Sequence, residues 1–181
     1  LEVGVPVEEA VRTLATAGPA SRWRMEVTER ADGVTVVNDA YNANPDSMRA
    51  ALATLASMGA GGGSRTVALL GEMLELGDGA AEQHEAVGRL AIELGIDRVV
   101  AVGPGAAGIH DGATAQEGRS TRVADTEGAI DWAHQHLGPG DIVLVKASRA
   151  SGLERVASAL LEPGGHNASG TRSGDEGNDA R

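Results

Sequence analysis

The chain has 181 residues, 41% of them hydrophobic, enough to bury one core of roughly 100 to 150 residues. A formal charge of -11 works against a nucleic-acid or anionic-membrane partner, because like charges repel over a Debye length of about 8 Å. Cysteine is absent, and so is any apolar run of about 18 residues or signal-peptide pattern, which excludes disulfides and thiolate metal sites and makes a cytoplasmic protein the expectation.

In chain order, Val7, Val11 and Leu14 recur at helical spacing behind Pro6, a residue suited to a first helical turn, so residues 1–20 read as one helix cut from something larger. Met25 and Val27, then Val34 and Val36, alternate on either side of Asp32-Gly33, the pattern of a hairpin. Helices are expected over 45–58, 80–94, 126–137 and 151–161, and strands over 65–70, 98–102, 121–125 and 141–146. Repeated β-α units with short apolar strands predict an α/β domain over 21–162, a doubly wound, mostly parallel sheet with an N-terminal hairpin strand. Residues 163–181 are Gly-rich, polar and aperiodic, and are expected to be disordered. Their "NAS" would accept a glycan only in a secretory pathway.

Ligands of open α/β sheets bind beyond the carboxyl ends of the strands, where loops and helix N-termini converge. In "NDAYNANP", Asp39 can accept two hydroxyl hydrogen bonds, Asn42 and Asn44 offer donors and acceptors, and Tyr41 adds a flat face; the set suits a ribose and a purine. Asn44 before Pro45 is also a helix N-cap, but capping alone does not call for a tyrosine among amides and acids. Lys146 is the sole lysine beside fourteen arginines and ends an apolar strand, with Ser148 and Arg149 at the start of the following helix. That is an anion site, or else a lysine snorkelling at a strand end.

Glu72, Glu75 and His84 could hold a metal or an ammonium group, although their spacing matches no strong metal motif; the plainer role for His84 is a hydrogen bond in the helix-sheet seam. Gly103, Gly105 and Gly108 fit G-x-G-x-x-G after a strand, and Asp125 ends the next strand, which suggests an NAD-binding module. Against it, Gly112 breaks residues 109–119 as a helix, the unit comes third in the sheet, and the richest polar cluster is elsewhere. "GAGGGSRT" lacks the lysine of a P-loop and leads into a strand, so the chain alone does not run phosphate chemistry.

"RMEV...GVTVVNDAYNANPDSMRAAL", "VALLGEMLELG...HEAVG" and "VLVKASR" resemble the C-terminal domain of the Mur ligases, of the MurF type, over about residues 1–162. Ligases of the family that add other amino acids typically differ in the first motif, often with histidine at Asn42 or its neighbour; a Mur ligase adding a different amino acid is the alternative within the family. The resemblance implies a three-domain enzyme that adds D-alanyl-D-alanine to UDP-N-acetylmuramoyl-tripeptide in peptidoglycan synthesis. ATP would activate the tripeptide carboxylate as an acyl phosphate, with magnesium ligands and P-loop in a central domain whose last helix is residues 1–20. This domain would be a lid, inactive alone, in a monomeric protein. By position, Arg24, Asp39, Tyr41, Asn42 and Asn44 would face ATP; Glu75, His84 and Ser148 would face the dipeptide; Lys146 and Arg149 of "KASR" would be catalytic. Ala147 stands where the family usually has glycine.

Overall fold

The structure is a computed structural model that describes residues 22–117 and 119–162; the helix expected within 1–20 and the tail 163–181 lie outside the described residues. Its elements are β1 (Glu26–Glu29), β2 (Thr35–Asn38), α1 (Pro45–Ala60), β3 (Thr66–Leu70), α2 (Ala80–Glu93), β4 (Arg98–Val102), α3 (Ala107–Ala115), β5 (Ser120–Val123), α4 (Thr126–His136), β6 (Ile142–Lys146) and α5 (Glu154–Leu161). They build one sheet in the order β1-β2-β6-β3-β4-β5, in which β1 alone is antiparallel to its neighbour. The expected α/β fold with a hairpin strand is therefore what forms. Strand order was not legible: β6, last in the chain, lies between β2 and β3.

Strand side chains alternate between faces, and each face has its own core. Leu70 and Leu144 pack with Met48, Leu52 and Leu55 of α1 and Ile109 of α3. Val67, Leu69, Val143 and Val145 pack with Trp132 of α4 and with Val156 and Leu160 of α5. Every residue of β3 and β6 is buried, as expected of strands covered on both sides. At the antiparallel edge, β1 leaves Val27 55% exposed.

Two expectations need correction. Gly112 does not break its segment, because α3 runs through it without interruption. A Cβ at Gly112 would lie 2.0 Å from the Glu85 carbonyl oxygen, and one at Gly88 would lie 2.0 Å from that of Ile109. Both glycines let α2 and α3 approach backbone to backbone. The last helix begins at Glu154, not 151, because a 3-10 turn over Arg149–Ser151 and Gly152, at φ 66°, come first.

Candidate functional site

The sheet order brings the end of β2 beside the end of β6. Asp39 N-H donates to the Val145 carbonyl at 2.9 Å and so prolongs the parallel ladder by one residue. Both oxygens of its carboxylate have partners: one accepts from Met25 N-H at 3.1 Å, the other from Lys146 Nζ at 2.6 Å. Lys146 also donates to the Asn42 carbonyl at 2.8 Å and its side chain is only 2% exposed. The anion that Lys146 meets in this structure is Asp39, and the two residues clasp loop 39–44 onto β6. Asn44 caps α1, with Oδ1 accepting from Ser47 N-H at 2.8 Å and Ser47 Oγ accepting from Asn44 N-H at 3.0 Å. Asn42 stays exposed.

Above this clasp lies a ledge of cations on aromatic rings. The Arg24 guanidinium sits 4.2 Å from the centre of the Tyr41 ring, and Arg149 lies 5.6 Å from Tyr41 and 5.8 Å from Trp23. Tyr41 N-H donates to the Trp23 carbonyl at 3.1 Å, which ties the segment before β1 to the first loop. Trp23 and Met25 both have positive φ, 62° and 47°, a conformation costing a side-chain-bearing residue about 1 to 3 kcal/mol. The Met25 bond to Asp39 helps hold it. The sequence reading missed Trp23; its signal was rarity, one of three aromatic residues in the chain.

The loop after β3 is nailed down along its backbone. Gly71 N-H donates to the Lys146 carbonyl, and Ser148 N-H donates to the Glu72 carbonyl, both at 2.9 Å. Met73 N-H donates to His84 Nε2 at 2.9 Å, and His84 Nδ1 lies 2.6 Å from the Ala80 carbonyl, so the ring carries its proton on Nδ1. His84 is 3% exposed and belongs to the seam, beneath the loop. Leu74 N-H donates to Ser148 Oγ at 2.9 Å, and that hydroxyl, also buried, reaches the Ala43 carbonyl at 3.4 Å. Ser148 thus joins three loops. Glu75 is exposed at φ 64°.

Around the glycine loop, Asp125 caps α4 by accepting from Gly128 N-H at 2.9 Å. A Cβ at Gly108 would lie 2.9 Å from His84 Cβ, so this glycine serves helix-helix packing. The Glu72 carboxylate lies where a Cβ on Gly105 would be, within 2.3 to 2.6 Å. An acid in contact with the second glycine repels the pyrophosphate that a dinucleotide would bring there. Among the described residues no three His, Asp or Glu side chains gather as a metal site needs, and no helix is long and apolar enough to cross a membrane.

An open, mostly parallel sheet with a cation-aromatic ledge and an acidic loop at its carboxyl ends defines an α/β domain whose sequence holds no phosphate loop. The chain belongs to the Mur ligase family: the family model described as "Mur ligase, glutamate ligase domain" matches residues 23–149. It is 46% identical over 179 residues to the UDP-N-acetylmuramoyl-tripeptide:D-alanyl-D-alanine ligase of Mycobacterium tuberculosis, covering 89% of this chain and 35% of that protein. Among solved structures it is similar to MurF of Acinetobacter baumannii, with TM-score 0.75 and 28% identity over 87% of this chain and 34% of that one. It is also similar to MurF of Thermotoga maritima in complex with ADP, with TM-score 0.64 and 27% identity over 84% of this chain and 35% of that one. The chain therefore spans about a third of the length of the relatives it matches.

Proposed function

We propose that the chain is the C-terminal domain, residues 21–162, of an ATP-dependent ligase that joins D-alanyl-D-alanine to UDP-N-acetylmuramoyl-tripeptide, and that its ledge closes over the nucleotide. The observation that carries this reading is the gathering of exposed Arg24 and Arg149 on the rings of Tyr41 and Trp23 in a chain of net charge -11. Guanidinium forks match phosphate oxygens, and an aromatic face suits a purine, so the donor set fits an adenine nucleotide. The activity in the relatives' names and the ADP bound to the Thermotoga maritima neighbour support it.

In this reading Arg24, Tyr41, Asn42 and Arg149 touch the nucleotide, while Asp39, Asn44 and Lys146 hold the loop that presents them. Ser148 and His84 set the loop after β3, which carries Glu75 on the cleft side. ATP, when bound, supplies the phosphoryl group that activates a carboxylate. An activated carboxylate hydrolyses readily, so a closing domain that excludes water suits the reaction. Magnesium finds no ligand set among the described residues, and no step is assigned to it. Residues 1–20 would end a central ATPase domain, and a cytoplasmic monomer is the setting implied.

The test is a titration of the isotope-labelled chain with ADP, followed by amide NMR. Shifts should centre on Arg24, Tyr41 and Arg149, and Arg149→Gln should weaken binding about tenfold, the worth of one charge-assisted contact. The chain with ATP and magnesium should release no ADP, because its sequence holds no P-loop. Shifts confined to Gly103–Gly108 and Asp125, with NAD binding more tightly than ADP, would overturn this reading in favour of a dinucleotide module.

A further inference from the structure

The sheet ends at β5, with no strand beyond it among the described residues. Val99 N-H and Gly103 N-H donate to the Arg119 and Val123 carbonyls at 3.0 Å, and a parallel ladder alternates, so Ser120 and Arg122 turn their backbone N-H and C=O groups to the open side. Arg119 and Arg122 are exposed, and Arg98 starts the neighbouring strand beside them. We infer that this edge takes an extended, acidic segment of a partner protein as a seventh strand, with backbone hydrogen bonds to Ser120 and Arg122 and carboxylates on the arginines.

The first support is charge. In a chain of net charge -11, three arginines gathered at one edge make no side-chain hydrogen bond or ion pair among the described residues, whereas Arg30, Arg65, Arg89 and Arg155 each pair with an acid. The acids next to them in sequence are engaged elsewhere, since Asp97 accepts from Thr66 and Asp125 from Gly128 N-H. Charges on an edge strand commonly keep it from pairing. Copies of this chain already repel one another, so cations add nothing to that defence; their effect is to attract an acidic strand.

The second support is shape. A cavity of about 580 Å³, lined by Gly103, Pro104, Arg122, Val123 and Ala124, opens at the carboxyl end of β5. Its walls, apart from Arg122, are small or apolar, and they leave an incoming strand room for an apolar side chain beside its backbone bonds. Arg119 and Arg122 are three residues apart and so lie on opposite faces, which asks for carboxylates on both faces of the partner strand. The opposite edge repels such a segment, because β1 carries Glu26 and Glu29. A second copy fits less well. Pairing β5 with β5 brings arginine to arginine, and pairing β1 with β5 is a head-to-tail contact that adds copies of charge -11 without closing.

The probe is the peptide acetyl-Thr-Glu-Val-Thr-Glu-Thr-amide, whose glutamates are also three apart, titrated into the labelled chain and followed by amide NMR. Shifts should centre on residues 119–124, and exchange of the Ser120 and Arg122 amides with deuterium should slow about tenfold or more at saturation. Lysine in place of both glutamates should weaken binding at least about tenfold, and so should N-methylation throughout, which keeps the charges but removes every backbone donor. Arg122→Glu should lose as much, with Arg122→Lys within about threefold of the unaltered chain, and the spectra of both variants report directly whether they are folded. Equal affinity for the lysine or the N-methylated peptide, shifts centred on β1, or no shifts up to about 1 mM peptide would overturn the inference. So would sedimentation equilibrium in which the chain alone associates and Arg122→Glu disperses it, since the edge would then belong to a second copy.

Discussion

A carboxylate and an ammonium taken out of water cost several kcal/mol each, and their attraction repays this only when the geometry is good and the remaining donors and lone pairs are satisfied. At Asp39 and Lys146 the bonds to Met25 and Asn42 add to the pair itself, so that both carboxylate oxygens and two of the three ammonium N-H groups have partners. Removing one partner leaves a charge uncompensated. Lys146→Met, which keeps the aliphatic stem, should therefore cost about 3 to 5 kcal/mol in urea unfolding, and Asp39→Asn in the same background should recover part of the loss. A cost under about 1 kcal/mol would return Lys146 to the surface and make it available to a ligand. The sequence showed that Lys146 wants an anion but not which one, because Asp39 lies 107 residues away and becomes a neighbour only when β6 inserts beside β2. For Asn44 the local pattern sufficed, since a cap involves residues three apart.

Helix α2 meets α3 through Gly88, Gly108 and Gly112, and the contact is set by what those residues lack. A methyl at Gly88 or Gly112 would lie 2.0 Å from a backbone carbonyl oxygen, which cannot swing aside as a side-chain tip can. The helices must then separate. Either substitution to Ala should lower stability by about 2 to 3 kcal/mol, the overpacking penalty outweighing the roughly 1 kcal/mol that alanine gains in helix propensity. Gly61→Ala is the matched control: it caps α1 at φ -86° with nothing near its Cβ position, and should be neutral or stabilising by up to about 1 kcal/mol. Thermal unfolding midpoints of the three variants decide the matter, and equal midpoints would show that α2 and α3 tolerate a wider spacing. The β-α alternation was readable from the sequence because buried parallel strands are nearly continuous apolar runs. Gly112 was misread as a breaker because a glycine that permits contact and one that ends a helix look alike until the opposing backbone is in view.

Across the whole molecule, buried side chains knit the carboxyl-end loops into one connected set, from Met25 through Asp39 and Lys146 to Asn42, and from Ala43 through Ser148 to Leu74 and Glu72. His84 anchors Met73 to α2. The cation-aromatic ledge and the loop after β3 thereby sit on one frame. None of this connectivity is local in sequence, so strand-end residues could be nominated from the chain but not sorted into contacting and supporting groups. Dynamics should carry the signature. Amides of Met73 and Leu74 lie in a loop outside any helix or strand, and Leu74 is 38% exposed, yet both should exchange with deuterium nearly as slowly as the amides of β3. Ser148→Ala removes the acceptor of Leu74 and leaves that of Met73 in place. Exchange at Leu74 should then quicken about tenfold or more, with Met73 close to its original rate, because each amide depends on a different anchor. Rapid exchange of both amides in the unaltered chain would mean that the loop opens freely and that His84 and Ser148 do not anchor it.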